Sequence, residues 1–73
     1  MGAAGGALIG AAVEEKRAAE YGPVPTSGYP VAQSAGQPGM YYSPYTHKVY
    51  NLTAVPPRGL VRDADTNRLF RKP

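Results

Sequence analysis

His47 is the one histidine of this chain, and there is no cysteine. A Cys/His nucleophile pair is therefore excluded, and a zinc site lacks ligands. Ser27, Ser34 and Ser43 stand in a Pro- and Gly-rich stretch with no positioned base near them in sequence. Asp63 and Asp65 bracket a turn, which Asp65 is expected to stabilise rather than to do acid–base work. The glycines precede no Lys-Ser/Thr pair and imply no phosphate-binding loop. The expectation is a non-enzyme, with no catalytic, cofactor-binding or metal-ligating residue. His47 is expected at the surface or an interface.

What remains is the chemistry of binding. Six tyrosines each offer a large apolar face, a hydroxyl and few rotors, a combination suited to anchoring on another protein. Tyr41, Tyr42, Tyr45 and Tyr50 are the expected anchors. Leu60, Val61, Leu69 and Phe70 are expected to pack a hairpin against the partner. Arg62, Arg68 and Arg71 would set electrostatic register there. A third group is the glycine series Gly2, Gly6 and Gly10, spaced by four. On a helix it forms a smooth ridge open to close approach by a neighbouring backbone.

Three segments must position these groups. Residues 1–20 carry the helical signal: Ala is the best helix former, and the stretch from Val13 to Glu20 contains no breaker before Tyr21-Gly22-Pro23. Residues 21–47 hold five prolines, four glycines and five tyrosines but no Asp, Glu, Lys or Arg. This composition predicts an extended strap. Residues 48–73 form a basic docking segment, with a strand near 49–55 and a β-hairpin from Leu60 to Arg71. Asp65 and Thr66 suit the right-handed positions of its turn and Asn67 the left-handed one. That register places Val61 opposite Arg71, Arg62 opposite Phe70, Asp63 opposite Leu69 and Ala64 opposite Arg68. Arg62 would then lie beside the Phe70 ring. A lone hairpin is marginal in water, so a third strand is needed, from 49–55 or from a partner's sheet edge. No repeat longer than the glycine spacing is apparent.

Across 73 residues, Leu, Ile, Val and Phe number twelve, while Gly and Pro number 17. So little aliphatic volume predicts a mostly irregular, extended chain with no independent globular core, ordered only against something larger. The net charge of +3 is polarised. Residues 1–20 carry −1 and residues 48–73 carry +4, which suits an acidic protein surface or phosphates. The apolar run from Met1 to Val13 would span roughly 20 Å as a helix, short of the ~30 Å bilayer core. No basic residue precedes it as a secretory signal requires. Gly6 stands where a myristoylation site has Ser or Thr.

These features are similar in design to the minor or cementing proteins of virus capsids. The lumenal proteins of microtubules and the supernumerary subunits of organellar complexes share the design. The expected function is a structural protein that stabilises a large assembly, with coat protein as the favoured partner and the virion as the favoured location. One alternative is a membrane-associated peptide using the glycine ridge. A second is a nucleic-acid-contacting peptide led by Arg58, Arg62, Arg68, Arg71 and Lys72.

Overall fold

The computed structural model describes residues 7–73. Its strands are short: β1 (Leu8–Ile9), β2 (Ala12–Val13), β3 (Gln33–Ser34), β4 (Met40–Tyr42), β5 (Val49–Asn51), β6 (Leu60–Arg62) and β7 (Leu69–Arg71). One seven-residue 3-10 helix, Glu15–Tyr21, lies between β2 and the Pro-rich stretch.

Two hairpins organise the molecule, and they are copies of one another. Twenty positions separate Gly39 from Gly59, Ser43 from Asp63, Thr46 from Thr66, His47 from Asn67, Lys48 from Arg68 and Tyr50 from Phe70. Their backbones bond alike. Ser43 N–H donates to the Lys48 carbonyl at 2.9 Å, and Asp63 N–H to the Arg68 carbonyl at 2.8 Å. His47 N–H donates to the Ser43 carbonyl at 3.0 Å, and Asn67 N–H to the Asp63 carbonyl at 2.8 Å. Leu52 N–H reaches the Gly39 carbonyl at 2.8 Å, as Lys72 N–H reaches that of Gly59 at 2.9 Å. Both turns close through a left-handed residue, His47 at φ 64° and Asn67 at φ 60°. The chain therefore does contain a long repeat, contrary to its first appearance. It escapes notice because only the glycine and the threonine are identical; Lys48/Arg68 and Tyr50/Phe70 keep chemical type or shape, while pairs such as Tyr45/Asp65 and Leu52/Lys72 do not.

The segments that flank the hairpins obey the same symmetry. Residues 8–13 run parallel to β5 through β1, then antiparallel to β6 through β2. Residues 30–34 run parallel to β7 through a bridge at Val31, then antiparallel to β4 through β3. Gly10 N–H donates to the Asn51 carbonyl at 2.9 Å, and Ala32 N–H to the equivalent Arg71 carbonyl at 2.8 Å. Each arm thus joins one sheet to the other. The order β1-β5-β4-β3 and the order β2-β6-β7 are linked at both sides by continuous chain. The pairings close into a ring of six strands, an arrangement that leaves no long unpaired edge.

The interior lies between the hairpins. Tyr50, Leu52, Val55, Val61, Phe70 and Ala32 form one buried cluster, and Leu60, Leu69 and Ala18 a second. The equivalent rings of Tyr50 and Phe70 meet edge to face, with centroids 5.6 Å apart. The Cα radius of gyration is 11.8 Å, close to the value of about 11 Å for a folded domain of this length. The expectation of an extended chain without a core is overturned. Alanine and tyrosine supply volume that an aliphatic count ignores, and the ring pairs the backbone of strands too short to pair well alone.

The expected N-terminal helix over 1–20 is also overturned in the described part. Residues 8–13 are strand because pairing with β5 and β6 outweighs a weak helical propensity. Only eight residues then remain before Gly22, whose φ is 121°, and seven of them, Glu15–Tyr21, take the tighter 3-10 form. Gly2 and Gly6 lie outside the described residues. Gly10 serves another purpose than a ridge: a Cβ there would run into Leu52 Cδ2 and crowd Val61 Cγ1 at 3.2 Å. The 21–47 stretch does not form a strap either, since it supplies β3 and β4. Among the described residues no helix is long and apolar enough to cross a membrane.

The C-terminal hairpin forms one residue out of the expected register. Leu60 faces Arg71, Val61 faces Phe70 and Arg62 faces Leu69. The turn is one residue longer than a type I turn with its left-handed closure. Asp63 enlarges it by accepting the Asn67 N–H on its carbonyl and the Asp65 and Thr66 N–H groups on its carboxylate. A slip of one residue changes the face of each side chain. Phe70 is accordingly buried while Arg62 is exposed, and the expected Arg62–Phe70 contact does not occur. The third strand of this sheet is β2, neither residues 49–55 nor a partner's edge.

Candidate functional site

Two places concentrate polar chemistry. The first is internal. Asp63 has no exposed surface, and its carboxylate gathers bonds from both hairpins. Oδ2 accepts from Ser43 Oγ and, at 2.9 Å, from Thr46 Oγ1. Oδ1 accepts from the N–H groups of Asp65 at 2.8 Å and Thr66 at 3.1 Å. Burial pushes this carboxyl up. The bonds from Ser43, Thr66, Thr46 and Asp65 outweigh burial and hold it below its ordinary value. Ser43 Oγ caps its own turn by accepting from Tyr45 N–H at 3.1 Å. Ser43 and Asp63 are equivalent residues, so the two turns lock together where their symmetry axis passes. The expected role of Asp65 as turn stabiliser falls to Asp63. Asp65 instead pairs with Lys48, Nζ to Oδ2, at 2.6 Å.

The second place is a surface groove of about 280 Å³ walled by Tyr21, Tyr29, Tyr45, Pro23, Pro25 and Arg68. The 3-10 helix and the turn at Gly22 position Tyr21, and the first hairpin's turn positions Tyr45. Tyr45 Oη donates to the Leu69 carbonyl at 2.7 Å, which fixes its ring. Burial raises the Tyr45 phenol above its ordinary value, while the Arg68 charge opposes that rise. The Arg68 guanidinium carbon lies 6.0 Å from the Tyr45 ring centroid, a cation–π placement. Arg71 sits 5.6 Å over the Tyr29 ring and bonds Glu15 at 2.9 Å, so it ties the helix to β7.

The expected binding residues divide by burial. Tyr50, Leu60, Val61, Leu69 and Phe70 are core residues of this chain, at most 2% exposed. Tyr41 and Tyr45 pack half-buried against that core. Tyr42 stacks at 5.6 Å on His47, which is exposed. Arg62 and Arg68 are exposed, whereas Arg71 and Lys72 are engaged within the fold. Lys72 Nζ donates to the carbonyls of Leu52 at 2.9 Å and Val55 at 2.6 Å. Of the expected set, the groove gathers Tyr45, Arg68 and Leu69, and adds Tyr21 and Tyr29, which were not singled out. Their signal was the alternation of tyrosine with proline over 21–30, legible as a binding surface but not as one wall of a groove. The largest apolar exposures are Ile9 at 78%, Val24 at 60% and Val31 at 52%.

Comparison of the chain with protein-family models, curated proteins and solved structures returns no match.

Proposed function

We propose that this chain is a non-enzymatic structural protein that docks, already folded, on the subunits of a larger protein assembly. A minor or cementing protein of a capsid is the form of assembly its design favours. The observation that carries this reading is the Tyr21/Tyr29/Tyr45/Arg68 groove. Aromatic rings and arginine are the residue types that dominate protein–protein contacts, above all where a few anchors fill or form pockets. Exposed Ile9, Val24 and Val31 add apolar surface beyond it. The docking differs from the sequence expectation in kind. A body that folds first loses little conformational entropy on binding, whereas a strap must be ordered by its partner. The nucleic-acid alternative is weakened, since Arg71 and Lys72, two of its five cations, have intramolecular partners.

The test is association in the native source. The chain should sediment with a large particle at a fixed ratio to its major subunit. Tyr29→Ala combined with Arg68→Glu should release it. Sedimentation as a free monomer throughout overturns the proposal.

A further inference from the structure

Internal symmetry provides a control for reading the groove. Lys48 and Arg68 are equivalent, and each reaches across to the turn of the other hairpin. Lys48 meets Asp65, with Nζ 2.6 Å from Oδ2. The residue equivalent to Asp65 is Tyr45, and Arg68 meets that ring instead, 6.0 Å from its centroid. One copy of the contact is a closed ion pair. The other holds a guanidinium over a phenol. Among the described residues, the ion pairs are Arg17–Glu14, Lys48–Asp65 and Arg71–Glu15, and none involves Arg68.

The surroundings favour a ligand that supplies the missing anion. No acidic side chain lines the groove. Tyr29 Oη, in the groove wall, is the one buried side-chain polar atom among the described residues with no hydrogen-bond partner. A buried hydroxyl without a partner carries a desolvation cost that an incoming acceptor could relieve. Tyr21, Pro23 and Pro25 add flat apolar surface. The volume of about 280 Å³ suits one or two side chains rather than a whole small molecule of drug size. The net charge of +3 draws an anionic partner toward the surface.

We propose that this groove is a carboxylate site, filled by a Glu or Asp side chain on a protein segment that carries proline or an aromatic residue beside the acid. Arg68 pairs with the incoming carboxylate as Lys48 pairs with that of Asp65, with the geometry of guanidinium favouring two parallel bonds. The apolar neighbour lies on the tyrosine and proline walls. This site rests on the docking function proposed above and names the chemistry of the partner.

The experiment titrates the full chain, labelled with nitrogen-15, with blocked acetyl-Pro-Glu-Phe-amide and its Gln counterpart. The Glu peptide should shift the amides of Tyr21, Gly22, Tyr29, Arg68 and Leu69, and should bind at least tenfold more tightly than the Gln peptide. Arg68→Gln should erase that preference, and Arg68→Lys should keep part of it. Arg62→Gln, outside the groove, should leave it unchanged. The well-dispersed spectrum of each variant reports that the fold is intact. Equal binding of the two peptides, a preference that survives Arg68→Gln, or shifts centred on Arg58 and Arg62 would each overturn the site. Particle association that persists alongside equal peptide binding sinks the carboxylate site alone and leaves the docking function standing.

Discussion

Asp63 shows how one side chain can hold two copies of a motif together. It accepts two hydroxyl and two backbone donors, and its partner across the axis is the residue that Asp63 replaces in the first hairpin. Hydrogen bonds to a charged group are each worth about 1.5–3 kcal/mol, and orphaned buried donors add to the loss. Asp63→Ala should therefore destabilise the fold by about 3 kcal/mol or more, read as a drop in the urea midpoint at unchanged slope. The pH dependence has a definite sign. A carboxyl held below its ordinary value contributes stability above the unfolded pKa of about 3.9, and loses it as pH falls through the lowered folded value. Glu15, also lowered, chiefly by its bond from Arg71, adds a change of the same sign. Urea midpoints should fall as pH is taken from 5 down past 4, and Asp63→Asn should flatten most of that slope. An equally steep slope in the Asn variant would remove Asp63 from this role. Gly10 is the second decisive residue. Gly10→Ala must displace fully buried Leu52, so a cost of about 1–3 kcal/mol is expected from overpacking.

The hairpin is the element that repeats, and its copies differ in compensating ways. Tyr50 Oη accepts from Ala64 N–H at 2.8 Å. The equivalent pair is Phe70 and Pro44, in which hydroxyl and N–H are both missing. Phe70→Tyr alone should cost about 1–3 kcal/mol by burying a hydroxyl without a partner. Adding Pro44→Ala should recover much of it, and a thermal-unfolding double-mutant cycle measures that coupling. Additive effects would mean that the two hairpins are not equivalent at this point. The left-handed turn residues differ as well. Asn adopts that conformation more readily than His, so His47→Gly should stabilise by up to about 1 kcal/mol and Asn67→Gly by less. Asn67 also has a bond to lose, from Arg62 Nη1 to its Oδ1 at 3.1 Å. The turn around Asn67 was legible because its residues act locally. The register was not, because the Asp63 side chain adds a residue to the turn. The helix over 1–20 misled for the opposite reason: its propensity is local, and the pairing that overrides it comes from residues 49–51 and 60–61.

The whole molecule behaves as a pseudo-dimer within one chain. Each arm closes the ring by pairing with both hairpins, so neither hairpin forms a complete sheet without them. The dilute monomer should unfold in one cooperative transition, with dispersed amide resonances before it. A disordered circular dichroism spectrum, as the composition alone suggests, would contradict the fold. Truncation before residue 14 should abolish the transition by opening both sheets at β1 and β2. The groove belongs to this scale, since it joins the 3-10 helix, the Pro-rich stretch and both hairpins. Sequence alone determined the chemistry available to this protein: tyrosine faces, arginine charge, and a turn at Asp65, Thr66 and Asn67. These are properties of single residues and their immediate neighbours. Only the tertiary structure decided which tyrosines are core and which are surface, which cations are paired, and that two dissimilar stretches share one shape. Those outcomes depend on contacts between segments distant in sequence, 17 positions for Lys48 and Asp65 and 56 for Glu15 and Arg71. The contacts that select them exist only once the ring has closed.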